Sequence, residues 1–220
     1  MSEELPDAWL SRDPLPEDPF PILKRWQDEA FAAREQPNPH AMALCTVDPD
    51  GSPSARMVLC KRIEVAKGSV VFYTDRNSRK GAALANDPRA AVVFHWAPQN
   101  RQVRIEGKVS FTSDADSDDY FASRPADSQI AAWASDQSQP LGSRAELIAR
   151  VASQAERLGA EAGDLPNPAL PRPEKWGGYE LHAMHVELWV SRPARVHDRA
   201  LWTRGRSSDP ARWTVTRLQP

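Results

Sequence analysis

Cysteine is nearly absent from this 220-residue chain. Only Cys45 and Cys60 occur, each in an apolar, strand-like run (AMALCTV and RMVLCK). Two thiols with no CxxC and no metal-ligand spacing exclude a disulfide scaffold and a cysteine-based metal site, and they read as buried free cysteines. An excess of either charge is also missing, with 28 Lys+Arg against 30 Asp+Glu. No global field therefore recommends nucleic acid or a membrane surface as partner, and any anion site must be local. No run approaches the ~20 apolar residues of a membrane span. The start, MSEELPDAWLSRDPLPEDPFPIL, has neither the basic nor the apolar segment of a signal peptide. Internal repeats and low-complexity tracts are lacking too. A soluble chain in a reducing, cytoplasmic setting is the expectation. At 24.5 kDa it is long enough to bury a substantial core without staples.

What is present divides cleanly. Residues 1–17 are acidic and proline-rich and are expected to form a variable, flexible arm; residues 18–220 are expected to form a single domain. Ile22, Leu23, Trp26, Ala30 and Phe31 recur at helical spacing, which predicts a helix over 21–35, stopped by Pro37-Asn38-Pro39. AMALCTVD and ARMVLCKRIEV flank Asp50-Gly51, a tight-turn pair, and read as a hairpin. SVVFYTD, RAAVVFHWA and RQVRIEGKVSFTS add three strands, with a short helix at NSRKGAALAND capped near Ser78. Helical patterns follow at SDADSDDYFASRP, DSQIAAWASD and SRAELIARVASQAERLGAEA, the last opening on the capping box Ser143/Glu146. After the proline-rich loop DLPNPALPRPEKW, strands return at GGYELHAMHVELWV and ARWTVTRLQP. The sum predicts one α+β domain whose mainly antiparallel sheet forms a small barrel or sandwich.

Four polar clusters are oddly placed for structural residues. Arg56 and Lys61 bracket an apolar strand, five apart, so alternation sends them to opposite faces. They are either two snorkelling cations or ligands to something lying along the strand's edge. Tyr73-Thr74-Asp75-Arg76-Asn77-Ser78-Arg79-Lys80 joins a strand end to a helix start, where free N–H groups favour an anion, although the glycines of a P-loop are missing. Tyr120 and Arg124 stand four apart and are expected to share a helix face, with Ser128 just past Pro125. One planar fork and two hydroxyls suit a phosphate, and an ordinary Tyr–Arg packing pair is the alternative. Finally, RPARVHDR follows an apolar strand. Alternation would put Arg195, His197 and Arg199 on one side of an extended segment, a charge excess that leans towards a binding site.

These stretches, RMVLCK, FYTDRNSRK, RQVRIEG, YFASRPADSQIAAWASDQS, WGGYEL and VELWVSRPARVHDR, stand in an order that resembles the pyridoxine/pyridoxamine 5'-phosphate oxidases, over about residues 18–220. The resemblance implies an FMN-binding split β-barrel with flanking helices, working as a homodimer whose two flavin sites are built from both chains. It implies that Arg56, Met57, Val58, Leu59, Cys60 and Lys61 belong to the flavin site, with Tyr73 and Thr74 as flavin contacts and Arg79 and Lys80 as the clamp on the FMN phosphate. Gln102 matches a glutamine near the flavin ring. Gln137 and Ser138 match contacts made from the partner subunit, and Trp189 and Arg199 match the last flavin contacts. The substrate phosphate would meet Lys61, Tyr120, Arg124 and Ser128, while Arg195 and His197, the expected catalytic pair, would close over the substrate's pyridine ring. The implied reaction oxidises phosphorylated B6 vitamers to pyridoxal 5'-phosphate with O2 as acceptor and H2O2 as product, ammonia also leaving from the amine. The implied partners are a second copy of the chain and these small molecules, with no nucleic acid and no membrane, and no metal is called for.

Two departures stand out. The family's arm usually carries an arginine-rich stretch with a tyrosine over the substrate, whereas LPDAWLSRDPLPEDPF has only Arg12 and no tyrosine. Where the family often reads E-F-W-Q-G, this chain has Glu187-Leu-Trp-Val-Ser191, and Val190 removes one possible hydrogen bond near the flavin. Two alternatives remain open: a flavin oxidase of this family acting on another amine or a dihydro-aromatic acid, as phenazine-pathway relatives do, and a non-catalytic flavin- or pyridoxal-phosphate-binding protein.

Overall fold

Apolar alternation becomes a curled antiparallel sheet in the computed structural model, which describes residues 9–159, 170–205 and 212–220. The strands are β1 (Ala41–Val47), β2 (Pro53–Leu59), β3 (Arg62–Glu64), β4 (Ser69–Asp75), β5 (Arg89–Trp96), β6 (Arg101–Phe111), β7 (Trp176–Val190), β8 (Asp198–Arg204) and β9 (Trp213–Arg217). They pair in the order β2-β1-β5-β6-β7-β4-β3, with β8 and β9 branching from β7. Every pairing is antiparallel. The long β7 makes the branch possible, since its first half pairs with β4 and its second half with β8, while β6 runs along both. A bulge between Glu106 and Gly107 bends that shared ladder.

The expected helices form as α1 (Phe20–Ala33), α2 (Arg79–Asn86), α3 (Asp114–Ala122), α4 (Ala126–Ala134) and α5 (Arg144–Arg157). Helix α1 sends Phe20, Leu23, Trp26 and Ala30 into the main core, where they meet Met42, Leu44, Phe72, Phe94, Ile105 and Trp202. Burying such side chains contributes about 1.5–3 kcal/mol each before the entropy of ordering them is subtracted. Ser78 caps α2 by accepting from Gly81 N, and Ser143 caps α5 by accepting from Glu146 N. A second, smaller core joins Phe121, Ile130, Leu170 and Trp176 beneath α3 and α4.

Several expectations need correction. Strands β3 and β8 were not separated in the sequence, because each is short or begins inside a charged segment. RPARVHDR is not an extended continuation of β7. The chain turns through a 3-10 segment, Pro193–Arg195, with Ala194 and Arg195 at φ 55° and 62°, and β8 begins only at Asp198. Of the expected flexible arm, residues 1–8 lie outside the described ones, whereas residues 9–17 are tied to the domain at specific points although Ser11, Arg12, Asp13 and Pro14 stay exposed. Leu10 is fully buried, Trp202 Nε1 donates to Pro16 O at 2.8 Å, and Arg217 donates to Leu10 O and Arg12 O at 2.5 and 2.6 Å. Val190 is buried in the main core and so faces away from its neighbour Trp189; its side chain removes no contact on the outer face. Among the described residues no helix is long and apolar enough to cross a membrane, and no group of three or more His, Cys, Asp or Glu is placed to hold a metal ion.

Candidate active site

A cleft of about 500 Å³ opens between the edge strand β2, the end of β4 and the helices α2–α4, within the roughly 300–1,000 Å³ of small-molecule sites. Its walls include Met57, Val58, Leu59, Lys61, Tyr73, Thr74, Lys80, Tyr120, Arg124, Ser128 and Gln137. Ten residues from three separate sequence clusters, and Gln137 from the family resemblance, thus meet in one place. Ser123, Pro125 and Trp176 complete the lining and were not expected.

At one end the cleft holds a cation with no counter-ion in contact among the described residues. Lys80 lies in the first turn of α2, buried, with Nζ donating to Gln137 Oε1 at 2.5 Å and to Thr74 Oγ1 and Ser78 Oγ at 3.1 Å each. All three acceptors are neutral. Burial, reinforced by the nearby Arg56 charge, pushes the Lys80 pKa down to about 8. A buried ammonium so arranged is costly until an anion joins it. The helix can approach this closely because residue 81 is glycine: a Cβ there would collide with the carbonyl of Arg76. Arg56 donates to Leu44 O, Thr46 Oγ1 and Ser54 Oγ, a position beside the cleft wall and not in it.

The other end is aromatic and cationic. Tyr73 stacks on Tyr120 at 4.1 Å and on Trp176 at 5.5 Å. Arg124 lies over Trp176 at 4.7 Å, and Lys61 Nζ lies 5.8 Å from the Tyr120 ring. Helix α3 ends at Ala122, so Arg124 does not share its face with Tyr120. It sits in the link to α4 and still reaches the cleft, with Nη1 buried and lacking a hydrogen-bond partner among the described residues. Burial lowers its pKa. Tyr73's hydroxyl is already committed: it donates to Asp116 Oδ2 at 2.7 Å, and Asp116 Oδ1 accepts from Arg62 at 2.8 Å. Burial and the Asp116 carboxylate both raise the Tyr73 pKa. Tyr73 therefore offers the cleft its ring and not its O–H.

The remaining expected residues lie elsewhere. Arg79 points outward and grips Asp48 at 2.5 Å, so its side chain does not join Lys80 in the cleft. Cys60 faces the main core, where burial pushes its thiol up to about 12. Gln137, expected to reach a partner's site, binds Lys80 and Thr74 of its own chain, and Ser138 follows it in an exposed turn with φ 72°. Gln102, Trp189 and Arg199 form one cross-strand row over β6, β7 and β8. The His197 ring lies 4.7 Å from that of Trp189, tilted by 47°, and Arg195 is exposed in the turn above. Glu187, buried, receives Arg199 at 2.7 Å and Arg104 at 3.0 Å. Trp176, in the cleft, and Trp189, in the row, lie at opposite ends of β7, roughly 40 Å apart along a strand rising ~3.3 Å per residue. Within one chain the row therefore stands at the far end of β7 from the cleft.

Comparison with known proteins gives a consistent picture. The family model described as Pyridoxamine 5'-phosphate oxidase matches residues 28–156, and that of the Pyridoxine 5'-phosphate oxidase C-terminal dimerisation region matches residues 176–220. A pyridoxine/pyridoxamine 5'-phosphate oxidase of Burkholderia orbicola (strain MC0-3) is 49% identical over 92% of this chain and 89% of its own length. One from Burkholderia lata is 46% identical over 97% and 94%. Among solved structures, PhzG from Burkholderia lata 383, in complex with tetrahydrophenazine-1-carboxylic acid, superposes with a TM-score of 0.82 at 32% identity, covering 94% of this chain and 95% of that one. A pyridoxamine 5'-phosphate oxidase-related, FMN-binding protein of Nostoc punctiforme shares the fold at a TM-score of 0.70 and 13% identity, covering 94% of this chain and all of that one.

Proposed function

Because the chain belongs to the pyridoxamine 5'-phosphate oxidase family of oxidoreductases, we propose that it binds FMN and oxidises pyridoxine 5'-phosphate and pyridoxamine 5'-phosphate to pyridoxal 5'-phosphate, with dioxygen as acceptor and hydrogen peroxide as product. The observation that carries this reading is the pairing of two anion-ready groups in one cleft, the buried Lys80 ammonium and the Arg124 guanidinium, whose Nη1 has no hydrogen-bond partner among the described residues. Two separate cations suit two monophosphates, one on the cofactor and one on the substrate. In this reading Lys80, with Thr74, holds the FMN phosphate, and Arg56 adds positive potential from behind. The exposed edge strand β2, with Met57 and Leu59 turned outward, lies along the flavin ring. Arg124, Ser128, Tyr120 and Lys61 take the substrate phosphate.

Bound flavin supplies the redox chemistry, accepting a hydride equivalent from the substrate and passing electrons to dioxygen. The chain's own groups bind and orient. The Tyr73–Tyr120–Trp176 stack gives the substrate end a flat, water-excluding wall, and the cations over it neutralise phosphate charge. The match to a dimerisation region supports a homodimer. A second copy, in this reading, brings the row Gln102, Trp189 and Arg199, with Arg195 and His197, over the cleft of the first, a reading supported by the separation of row and cleft along β7.

Mixing chains tests the divided site. Lys80→Met disables the cleft and Arg199→Ala disables the row. If each site uses both chains, a hybrid dimer of the two regains one intact site, and an equal mixture recovers about a quarter of the intact sites. No recovery on mixing would mean that cleft and row do not form one site across the two chains. Substrate is tested by supplying pyridoxine 5'-phosphate to the flavin-loaded protein under air: aldehyde and peroxide appearing together support the oxidase. The structural likeness to PhzG favours a second reading, a dihydro-aromatic acid as donor. Flavin reduction by such an acid but not by B6 phosphates would establish it, and a bound flavin reduced by neither would leave a binding protein.

A further inference from the structure

Glu187 is a carboxylate in an unusual place. It lies on the outer face of β7, two residues before Trp189, and yet it is only 6% exposed, because two arginines close over it. Its Oε2 accepts from Arg104 Nη1 at 3.0 Å across the β6–β7 ladder, where the two residues stand opposite each other. Its Oε1 takes Arg199 from β8, with Nε at 2.8 Å and Nη2 at 2.7 Å. Arg104 also binds Glu106 at 2.6 Å, so it holds Glu187 from a fixed base.

The C-terminal tail grips Arg199 from another side. Arg199 Nη1 donates to the carbonyl of Gln219 at 2.9 Å, and Leu218 N donates to Arg199 O at 3.0 Å. A guanidinium held through all three of its nitrogens has its plane set. It carries five N–H groups, so donors remain for a ligand after these contacts. Arg199 pairs directly with Trp189 across the β7–β8 ladder, which sets its charge beside that ring.

We infer that Glu187 is the positioning residue of the row: with the C-terminal tail, it holds Arg199 in the orientation that meets the flavin, without touching the flavin itself. The inference rests on the functional reading above, in which the row is laid over a partner's cleft. Its physical basis is the cost of ordering, since a free arginine loses rotamer freedom on binding and one already held loses little. As a bare charge, Glu187 would work against an anionic cofactor by lowering the local positive potential. The two effects of Glu187 oppose each other in sign, which makes them separable.

Flavin affinity of the full-length protein, read by quenching of FMN fluorescence, tests this in Glu187→Gln, in Arg199→Ala and in the double variant. Gln keeps the size, removes the charge and sets an amide N–H against one of the arginines. Positioning predicts that Glu187→Gln weakens affinity about fivefold on its own and changes it by less than about twofold beside Arg199→Ala. If charge is all that Glu187 contributes, Glu187→Gln tightens affinity. If Glu187 only holds the sheet together, the substitution weakens affinity equally in both backgrounds. Either result overturns the inference. Should Glu187→Gln not fold, Arg199→Lys decides. Lys keeps the charge but cannot be held in one plane, so affinity should fall nearly as far as with Arg199→Ala, and an affinity within about twofold of the unaltered protein overturns the inference. Undiminished affinity in Arg199→Ala would remove the row from the flavin site, and the functional reading would fall with the inference. Affinity weakened by Arg199→Ala but not by Glu187→Gln leaves that reading standing and overturns the inference alone.

Discussion

The cleft and the row are built from the same kinds of residue and could hardly be more different as sites. The cleft is concave and draws on three strands, three helices and the links between them. Lys80 is buried among neutral acceptors, and Arg124 Nη1 is buried with no hydrogen-bond partner among the described residues. The row lies open on the outer face of β6, β7 and β8, and its charges are satisfied: Arg199 binds Glu187 by both Nε and Nη2 and reaches the carbonyl of Gln219. Frustrated cations mark where an anion is to be taken up. A satisfied, preorganised row marks a surface that is to be laid against something already bound.

The sharpest way to break this comparison is to remove the frustrated charge. Lys80→Met should weaken flavin affinity at least ~30-fold, the loss of a charge-assisted hydrogen bond worth about 2–3 kcal/mol, read by quenching of flavin fluorescence. An unchanged affinity would mean that the buried ammonium serves some other end. Arg199→Ala should weaken flavin affinity about tenfold while circular dichroism stays native, although the residue is remote from its own chain's cleft. If affinity falls only when the protein also loses its fold, the row is structural.

The third expectation concerns pH. Lys80 has its pKa depressed to about 8 in the unliganded protein, chiefly by burial. An anion beside it favours the protonated form, so binding is strongest below that value and weakens as pH rises through and beyond about 8. For the unliganded chain the sign is opposite. The unfolded state binds the extra proton between about 8 and the ordinary lysine value, so stability rises with pH across that window. Flavin titrations and thermal melts at pH 7 and 9 check both, and parallel trends would contradict the assignment. The smallest effect is expected at Tyr73. Because Asp116 holds its hydroxyl, Tyr73→Phe should change flavin affinity by no more than about twofold while costing ~1 kcal/mol of stability.

How much of this was legible in the chain varies by element. The hairpin at Asp50-Gly51, the Ser78 and Ser143 caps and the amphipathic α1 are local and were readable as such. The cleft residues carried local marks too, as cations and hydroxyls crowding the ends of apolar runs. Other parts had no local mark. Asp116 looks like one more acid in the first turns of a helix, and only the fold sets it between Tyr73 and Arg62, 43 and 54 residues away. Trp176 reads as a core residue and is also a wall. The RPARVHDR segment misled, because alternation assumes extended backbone and Ala194 and Arg195 adopt left-handed angles that no residue type there demanded. The outward turn of Arg79 depends on Asp48, brought near by a different strand pair.

By itself, then, the sequence determined the elements and the supply of chemistry: where strands and helices start and stop, and that cations, hydroxyls and aromatic rings sit at their ends. Those properties depend on neighbours a few residues apart, through backbone sterics, capping and hydrophobic period. Only the tertiary structure decided which of those groups meet, which are already spent on a neighbour, and that the two halves of the set lie at opposite ends of β7. Such choices depend on strand pairing between residues far apart in the chain, where a single bulge or turn redirects every side chain beyond it.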